Sequence, residues 1–346
     1  MTRSQAEALN TLFVQTPGAY LALDHDSVLV TAKGNRTRLP LQRLDAIVLI
    51  GPVSASSELI ARCADDGRPI TSLSSTGRFR YRIEGPLSGN VLLRQAQHDT
   101  HRHLQRRARL AATIAAGKIK NSRRTLLSAG RNSPDVDTTQ VLRDAAEAVT
   151  RQLPELAAID DLDTIRGIEG RAARTYFAGL RAAVRQPETA TGQGRTRRPP
   201  LDPLNALLSF GYGLLRLRCV GALESVGLDP QIGFLHGIRP GRPSLALDLM
   251  EELRPTFVDR LVLNTLNLRQ LQARHFEAGL GGGIRLTDHG RRLFLELWQQ
   301  YQGRPVNHPL LHTKVETALV PLIQAKLLAR HLRGDIPVYL PYITRT

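Results

Sequence analysis

Cysteine is almost absent from this chain. Its 346 residues include two, Cys63 and Cys219, far apart and in no metal-binding spacing. That excludes a disulfide framework and a thiolate metal site, and leaves two buried reduced thiols as the expectation. No run of about 18 apolar residues occurs, so no membrane span is expected. The stretch Met1 to Asn10 lacks the apolar core of a signal peptide, and the expected location is cytoplasmic. The Gly-rich loop of nucleoside-triphosphate enzymes, the dinucleotide fingerprint and the nucleophile elbow are all missing. Negative charge is also short: 31 acidic residues face 47 basic ones, for a net charge of +16. Five of those basic residues are lysine and the other 42 are arginine, a bias that a GC-rich genome would produce unaided. Codon bias explains arginine over lysine but not the excess of cations. Such a field attracts polyanions, above all nucleic-acid phosphates.

The remaining composition, 42% hydrophobic and 23% charged, is that of a packed protein, and the length suggests two domains. Residues 10 to about 93 read as β. Strands are expected over Thr11–Thr16, Ala19–Leu23, Ser27–Ala32, Thr37–Leu41, Ala46–Ile50, Ile70–Leu73 and Arg78–Glu84, with a turn at Asp24-His25-Asp26 and another around Ser75–Gly77. Ser56 is placed to cap a helix ending before Gly67. From there on the pattern is helical. Helices are expected over Leu92–Ile119, which carries a dense basic strip, over Thr139–Leu153, and from the acidic run at Asp160–Asp163 to about Val184. Further helices are expected from Asp202-Pro203 to about Val226, over Leu245–Leu253 with Ser244 as cap, over Thr256–Gln272, over Gly290–Gln302 with Asp288 as cap, and over Lys314–Leu332. Residues 187–200 read as a loop ending in Arg195, Arg197 and Arg198. The expected fold class is α+β: a small, sandwich-like β domain over 1–93, then a larger all-α domain over 94–346 that includes linker helices.

Three segments hold the candidate chemistry. In Ser244–Pro255, Asp248 stands one helical turn before both Glu251 and Glu252, and carboxylates leaving a buried helix towards one spot suit a hard divalent cation. His236 lies between an apolar run and the loop that carries Arg239 and Arg242. Glu169 is flanked by Gly167 and Gly170, with Arg171 and Arg174 within reach of a phosphate. Each has a bland reading: a solvated acidic stripe, a structural histidine, a surface anion paired with Arg166. Taken together, two carboxylates, an imidazole and arginines form the inventory of phosphodiester chemistry with Mg²⁺ or Mn²⁺. His98 and His101 share a helix face and read as solvated, while His308 and His312 flank a proline-containing loop.

The segments Gly167–Gly170, Arg197–Tyr212, Leu228–Pro230, Gly233–His236 and Ser244–Pro255 resemble, in order and spacing, the CRISPR adaptation integrase-nuclease, the universal first core CRISPR-associated protein. Asn10–Val14 and Gly89–Arg94 resemble its type I-C branch. The resemblance implies that Glu169, His236 and Glu251 are metal ligands, that Asp248 is a further active-site acid, and that a β domain mediates a homodimer. It also implies partnership with the small second core adaptation protein, and joining of a captured DNA fragment to the CRISPR repeat by attack of its 3′-hydroxyls. Arg171, Arg174, Arg195, Arg197, Arg198, Arg239 and Arg242 are the candidate DNA contacts. A general metal-dependent repair nuclease and a non-catalytic nucleic-acid-binding protein are the alternatives.

Overall fold

A computed structural model describes residues 10–74, 79–83, 85, 91–157, 159–192 and 194–344. The expected turn around Ser75–Gly77 lies outside them. The chain divides into two compact units, Met1–Ser88 and Gly89–Thr346.

In the first unit, β1 (Asn10–Val14), β5 (Leu44–Ile50), β7 (Ile70–Leu73) and β8 (Phe79–Ile83) form one sheet, in the order β1-β5-β7-β8. A second sheet has the order β4-β3-β2-β6, from β2 (Tyr20–Asp24), β3 (Ser27–Ala32), β4 (Asn35–Pro40) and β6 (Ser54–Ala55). The hairpin expected at Asp24-His25-Asp26 is present: Asp24 pairs with Ser27, and His25 takes the left-handed conformation, φ 52°, that a two-residue turn needs. Helix α1 (Ser57–Asp65) begins at Ser56, whose hydroxyl accepts from the Leu59 N–H at 3.2 Å. Leu21 and Val28 from one sheet, Ile47 and Leu49 from the other, and Leu59 and Cys63 from α1 share one core.

The second unit is mainly helical. Where one helix was expected over 92–119 there are two, α2 (Val91–Arg102) and α3 (Leu104–Arg131), separated at His103, whose ring caps α3. The expected domain boundary at residue 93 falls inside α2. Next come α4 (Val136–Thr150), the single turn α5 (Leu153–Leu156), α6 (Leu162–Ala182) and α7 (Pro203–Ser225). The 28-residue α3 is the axis of the unit. Its buried face is rich in small residues (Ala108, Ala111, Ala115, Ser122), which lets α4, α6 and α8 (Ser244–Leu253) pack against it. Helix α7 is long and apolar enough to cross a membrane by length and composition alone, and packs against α8 and α11 (Val320–Arg333).

Several expectations are corrected. The second unit is not all-α: β9 (Phe276–Ala278) pairs with β10 (Ile284–Leu286), and β11 (Pro305–Asn307) with β12 (Lys314–Glu316). Lys314 therefore opens a strand rather than the last helix, since a cross-strand partner outweighs local propensity. Ser244 is not a cap; it is the first residue of α8 and spends its hydroxyl on the Gly237 carbonyl, 2.8 Å away. Thr287, not Asp288, caps α10 (Asp288–Gln302). No separate helix starts at Thr256. Pro255 has no N–H to continue the ladder, so the chain widens into a π-helical turn over Arg254–Asp259 and resumes as α9 (Arg260–Asn267).

The segment after α11 runs back over α3 and α8. The Tyr342 N–H and Tyr339 hydroxyl donate to Glu252, at 3.0 and 2.8 Å, and Gln324 adds a third bond at 2.9 Å. Asn121 of α3 donates to the carbonyls of Glu252 and Tyr342, both at 2.7 Å. Pro341 packs so close to Gly117 that a methyl group there would meet it at 2.6 Å.

Candidate active site

Residues 229–236 form the wall of the site, and many of their backbone groups are bonded by side chains. Gln97 donates to the carbonyls of Asp229 (2.8 Å) and Ile232 (2.9 Å), His101 to Gly233 (2.6 Å), Arg107 to Phe234 (3.0 Å) and Arg166 to Leu235 (2.8 Å). The expected solvated role of His101 is thus replaced by a structural one, while His98 is exposed. From the other side comes Asp248 of α8, fully buried. Its Oδ2 accepts from the N–H groups of Phe234 (2.5 Å) and Leu235 (3.0 Å); its Oδ1 accepts from the N–H of His236 (2.9 Å) and from His236 Nδ1 (2.7 Å). Gly233 is required here, because a Cβ would lie 2.7 Å from Ser244 backbone carbon and 2.9 Å from Asp248 Oδ2. Asp248 therefore positions His236. A proton held on Nδ1 by this carboxylate leaves Nε2 with its lone pair free, the arrangement in which histidine serves as a metal ligand.

His236 Nε2 lies 3.8 Å from Glu251 Oε1. Glu251, one turn after Asp248, is 2% exposed and is flanked by cations: Arg254 Nη1 at 2.8 Å from Oε1 and Lys118 Nζ at 2.6 Å from Oε2. Burial opposes the charge of Glu251, but Arg254, Lys118 and His236 outweigh it and hold the carboxyl at about 2. The same ammonium of Lys118 donates to Glu169 Oε1 from α6. Burial works against the lysine charge too, and Glu251 with Glu169 more than restores it. The structure thus brings Glu169, His236, Asp248 and Glu251 together from α6, the wall and α8. Arg166, the bland partner for Glu169, instead pairs with Asp163 at 2.8 Å.

Behind Glu251 lies a buried layer absent from the sequence reading. Arg254 stacks over the Tyr212 ring, 5.1 Å from its centroid, and Arg195 lies over the same ring at 5.4 Å. Tyr212 and Tyr176 both donate to the buried Asp259, at 2.6 and 2.8 Å. Burial pushes Asp259 up to about 6 despite those bonds. Glu252, the neighbour of Glu251, faces the opposite way into the C-terminal segment, where burial raises it to about 8.

Of the arginines expected at DNA, Arg174, Arg197, Arg198 and Arg239 are exposed and Arg242 is half-buried. Arg171 pairs loosely with Glu155 at 3.5 Å. Arg195 is committed inside the chain, donating to Asn205 Oδ1 and Ser209 Oγ, both at 3.0 Å, and to the Thr196 carbonyl. A cavity of about 400 Å³, lined by Asn132, Arg185 and Asn267 among others, contains none of the site residues, and the chemistry is placed by the acid cluster instead.

The donor set suits a divalent cation by its chemistry: two carboxylates and an imidazole nitrogen. Glu251 Oε2, buried and close to Lys118, receives no properly directed hydrogen bond. Among the described residues, no three acidic, histidine or cysteine side chains are spaced to hold an ion as they stand.

A family model described as CRISPR associated protein Cas1 matches residues 12–300. The chain is 45% identical over 339 residues to a CRISPR-associated endonuclease Cas1 of Moorella thermoacetica, covering 97% of this chain and 99% of that one. Two solved structures share the fold. A casposase bound to integration product superposes with a TM-score of 0.83 at 22% identity, over 96% of this chain and 93% of that one. A Cas6-RT-Cas1–Cas2 complex does so with a TM-score of 0.81 at 22% identity, over 100% of this chain and 37% of that one.

Proposed function

The chain belongs to the Cas1 family of CRISPR-associated proteins, and from that premise we propose that it is a metal-dependent DNA endonuclease and integrase of CRISPR adaptation, in the type I-C branch. The observation that carries this reading is the convergence of Glu169, Glu251 and the free Nε2 of His236, with Nδ1 of that ring held by Asp248 at 2.7 Å. Glu169, His236 and Glu251 would hold Mg²⁺ or Mn²⁺. When bound, such an ion polarises a phosphoryl group and favours the attacking oxygen as alkoxide or hydroxide.

The chain's own groups do the remaining work. Asp248 fixes the tautomer and angle of His236. Arg254, braced on Tyr212, keeps Glu251 ionised and adds positive charge where a pentacoordinate phosphate accumulates negative charge. The exposed Arg197, Arg198, Arg239 and Arg174 supply backbone contacts to DNA. In strand transfer, a 3′-oxygen of the short fragment forms a new P–O bond with a repeat phosphate, and the repeat's own 3′-oxygen leaves and takes up a proton. Phosphodiester bonds are conserved in number, so no nucleotide hydrolysis is needed, in keeping with the missing phosphate loop. The proposed assembly is a homodimer formed through the β domain, working with Cas2 and duplex DNA. The solved Cas1–Cas2 complex and casposase–product complex support those partners by shared fold.

The test combines purified protein, short duplex DNA, a repeat-bearing plasmid and Mn²⁺. Joined products that disappear in Glu169→Ala and His236→Ala are expected. Full activity in both variants would remove the proposed site. Cleavage without joining would point to a repair nuclease, and salt-sensitive binding with no metal-dependent product to a binding protein alone.

A further inference from the structure

We infer that Lys118 is a resident counter-cation of the active site: its ammonium bridges Glu169 and Glu251 and withdraws from at least one of them when a divalent cation binds. The inference rests on the metal reading of those two acids.

The geometry is specific. Lys118 arrives from α3, Glu169 from α6 and Glu251 from α8, and the side chain of Lys118 is 9% exposed. One ammonium thus ties three helices at a single point. A buried ammonium is tolerated only when its charge is matched, and here it is matched twice. Lys118, Arg254, Glu169 and Glu251 balance to zero as they stand, two cations against two anions. A doubly charged ion entering beside these four would bring them to +2, or to +1 with the buried Asp248 carboxylate counted, and the nearest movable cation is the ammonium. Arg254 is the more constrained of the two, stacked on Tyr212 as well as paired with Glu251 at 2.8 Å. Lys118 can move: lysine is a compact charge on a flexible stem. Its contact with Glu251 Oε2 is a single ion pair at 2.6 Å.

The test is Mn²⁺ binding by calorimetry to the full chain and to Lys118→Met, which keeps the length and removes the charge. Removing a like charge a few ångströms from the ion should tighten Mn²⁺ binding by at least about tenfold, while the metal-free variant melts at a lower temperature than the wild type. If the wild type binds Mn²⁺ through Glu169 and the variant binds equally or more weakly, Lys118 is a metal-organising residue; the inference fails and the metal reading stands. If neither protein binds Mn²⁺ in a manner abolished by Glu169→Gln, both fail. Should the variant not fold, the wild type carries the test. Its five lysines, labelled at ¹³Cε, give a countable spectrum in which Lys118 is identified by substituting the other four with arginine. Saturating Mg²⁺ must shift the Lys118 signal and leave the rest in place; an unmoved signal overturns the inference.

Discussion

Asp248→Asn separates positioning from catalysis. The carboxylate receives four bonds on two oxygens: the N–H groups of Phe234 and Leu235 on Oδ2, and the N–H and Nδ1 of His236 on Oδ1. An amide of the same shape has one acceptor. If its oxygen faces Phe234 and Leu235, its NH₂ faces the N–H of His236 and the ring. The ring can respond by moving its proton to Nε2 and accepting at Nδ1; the backbone N–H cannot. One buried donor is then left unpaired, and the charge assistance to the others is lost, for about 2–4 kcal/mol of stability. The tautomer switch has a separate effect, because a protonated Nε2 no longer offers a lone pair; disturbing such a partner typically costs 10–100-fold in metal affinity or activity. Urea denaturation measures the first effect, and ¹⁵N spectra of labelled histidine with Mn²⁺-dependent strand transfer measure the second. An Asn variant that stays within about 0.5 kcal/mol of the wild type, with Nε2 unprotonated and full activity, would refute this account of the wall.

Three further outcomes are expected. Glu252 has a folded-state pKa of about 8 against an ordinary 4.5; because the raised value favours the protonated fold, its stabilisation is present below pH 4.5 and is lost as pH rises to about 8, by up to about 1.4 kcal/mol per pH unit. Glu252→Gln should flatten that part of the stability profile in chemical denaturation, and an unchanged slope would place the titration elsewhere. Arg197→Ala and Arg198→Ala should each weaken DNA binding and lower the slope of log K against log salt by about 0.9 per lost phosphate contact, while Arg195→Ala should act mainly by lowering the melting temperature; equal salt slopes in all four proteins would contradict this division. Gly233→Ala, whose methyl would press on Ser244 and Asp248, should lower activity more than stability, read from strand transfer beside thermal melting, and a fully active variant would show that the wall tolerates displacement.

How much of this was legible depended on whether the signal was local. The Asp24–Ser27 hairpin, the Ser56 cap and the start of α7 at Asp202-Pro203 are encoded within a few residues and were read correctly. Glu251 and Glu252 show where locality ends. Helical spacing puts Asp248 on one face with either of them, and α8 is buried on every side, so only the packing partners decide that Glu251 meets His236 while Glu252 meets Tyr339 and Tyr342. Lys118 was read as part of a basic strip on α3. Its Ala- and Ile-rich surroundings were the available hint, since an ammonium on a buried face needs an anion, but the two anions lie 51 and 133 residues away in sequence. Lys314 failed for the opposite reason: helical propensity was present and its strand partner Asn307 overruled it.

The docking of the C-terminal segment on Glu252 has a consequence for how the protein is made. Glu169, His236 and Glu251 all leave the ribosome before Tyr339 and Tyr342 have been translated. Until then Glu252 lacks two of its three donors, Asn121 lacks one of its two carbonyls, and Gly117, the neighbour of Lys118, is not yet pressed by Pro341. The proposed metal-binding acids are therefore synthesised ahead of the segment that lies across α3 and α8. A nascent or prematurely terminated chain carries Glu169, His236 and Glu251 without the contacts that this segment makes to Glu252, Asn121 and Gly117.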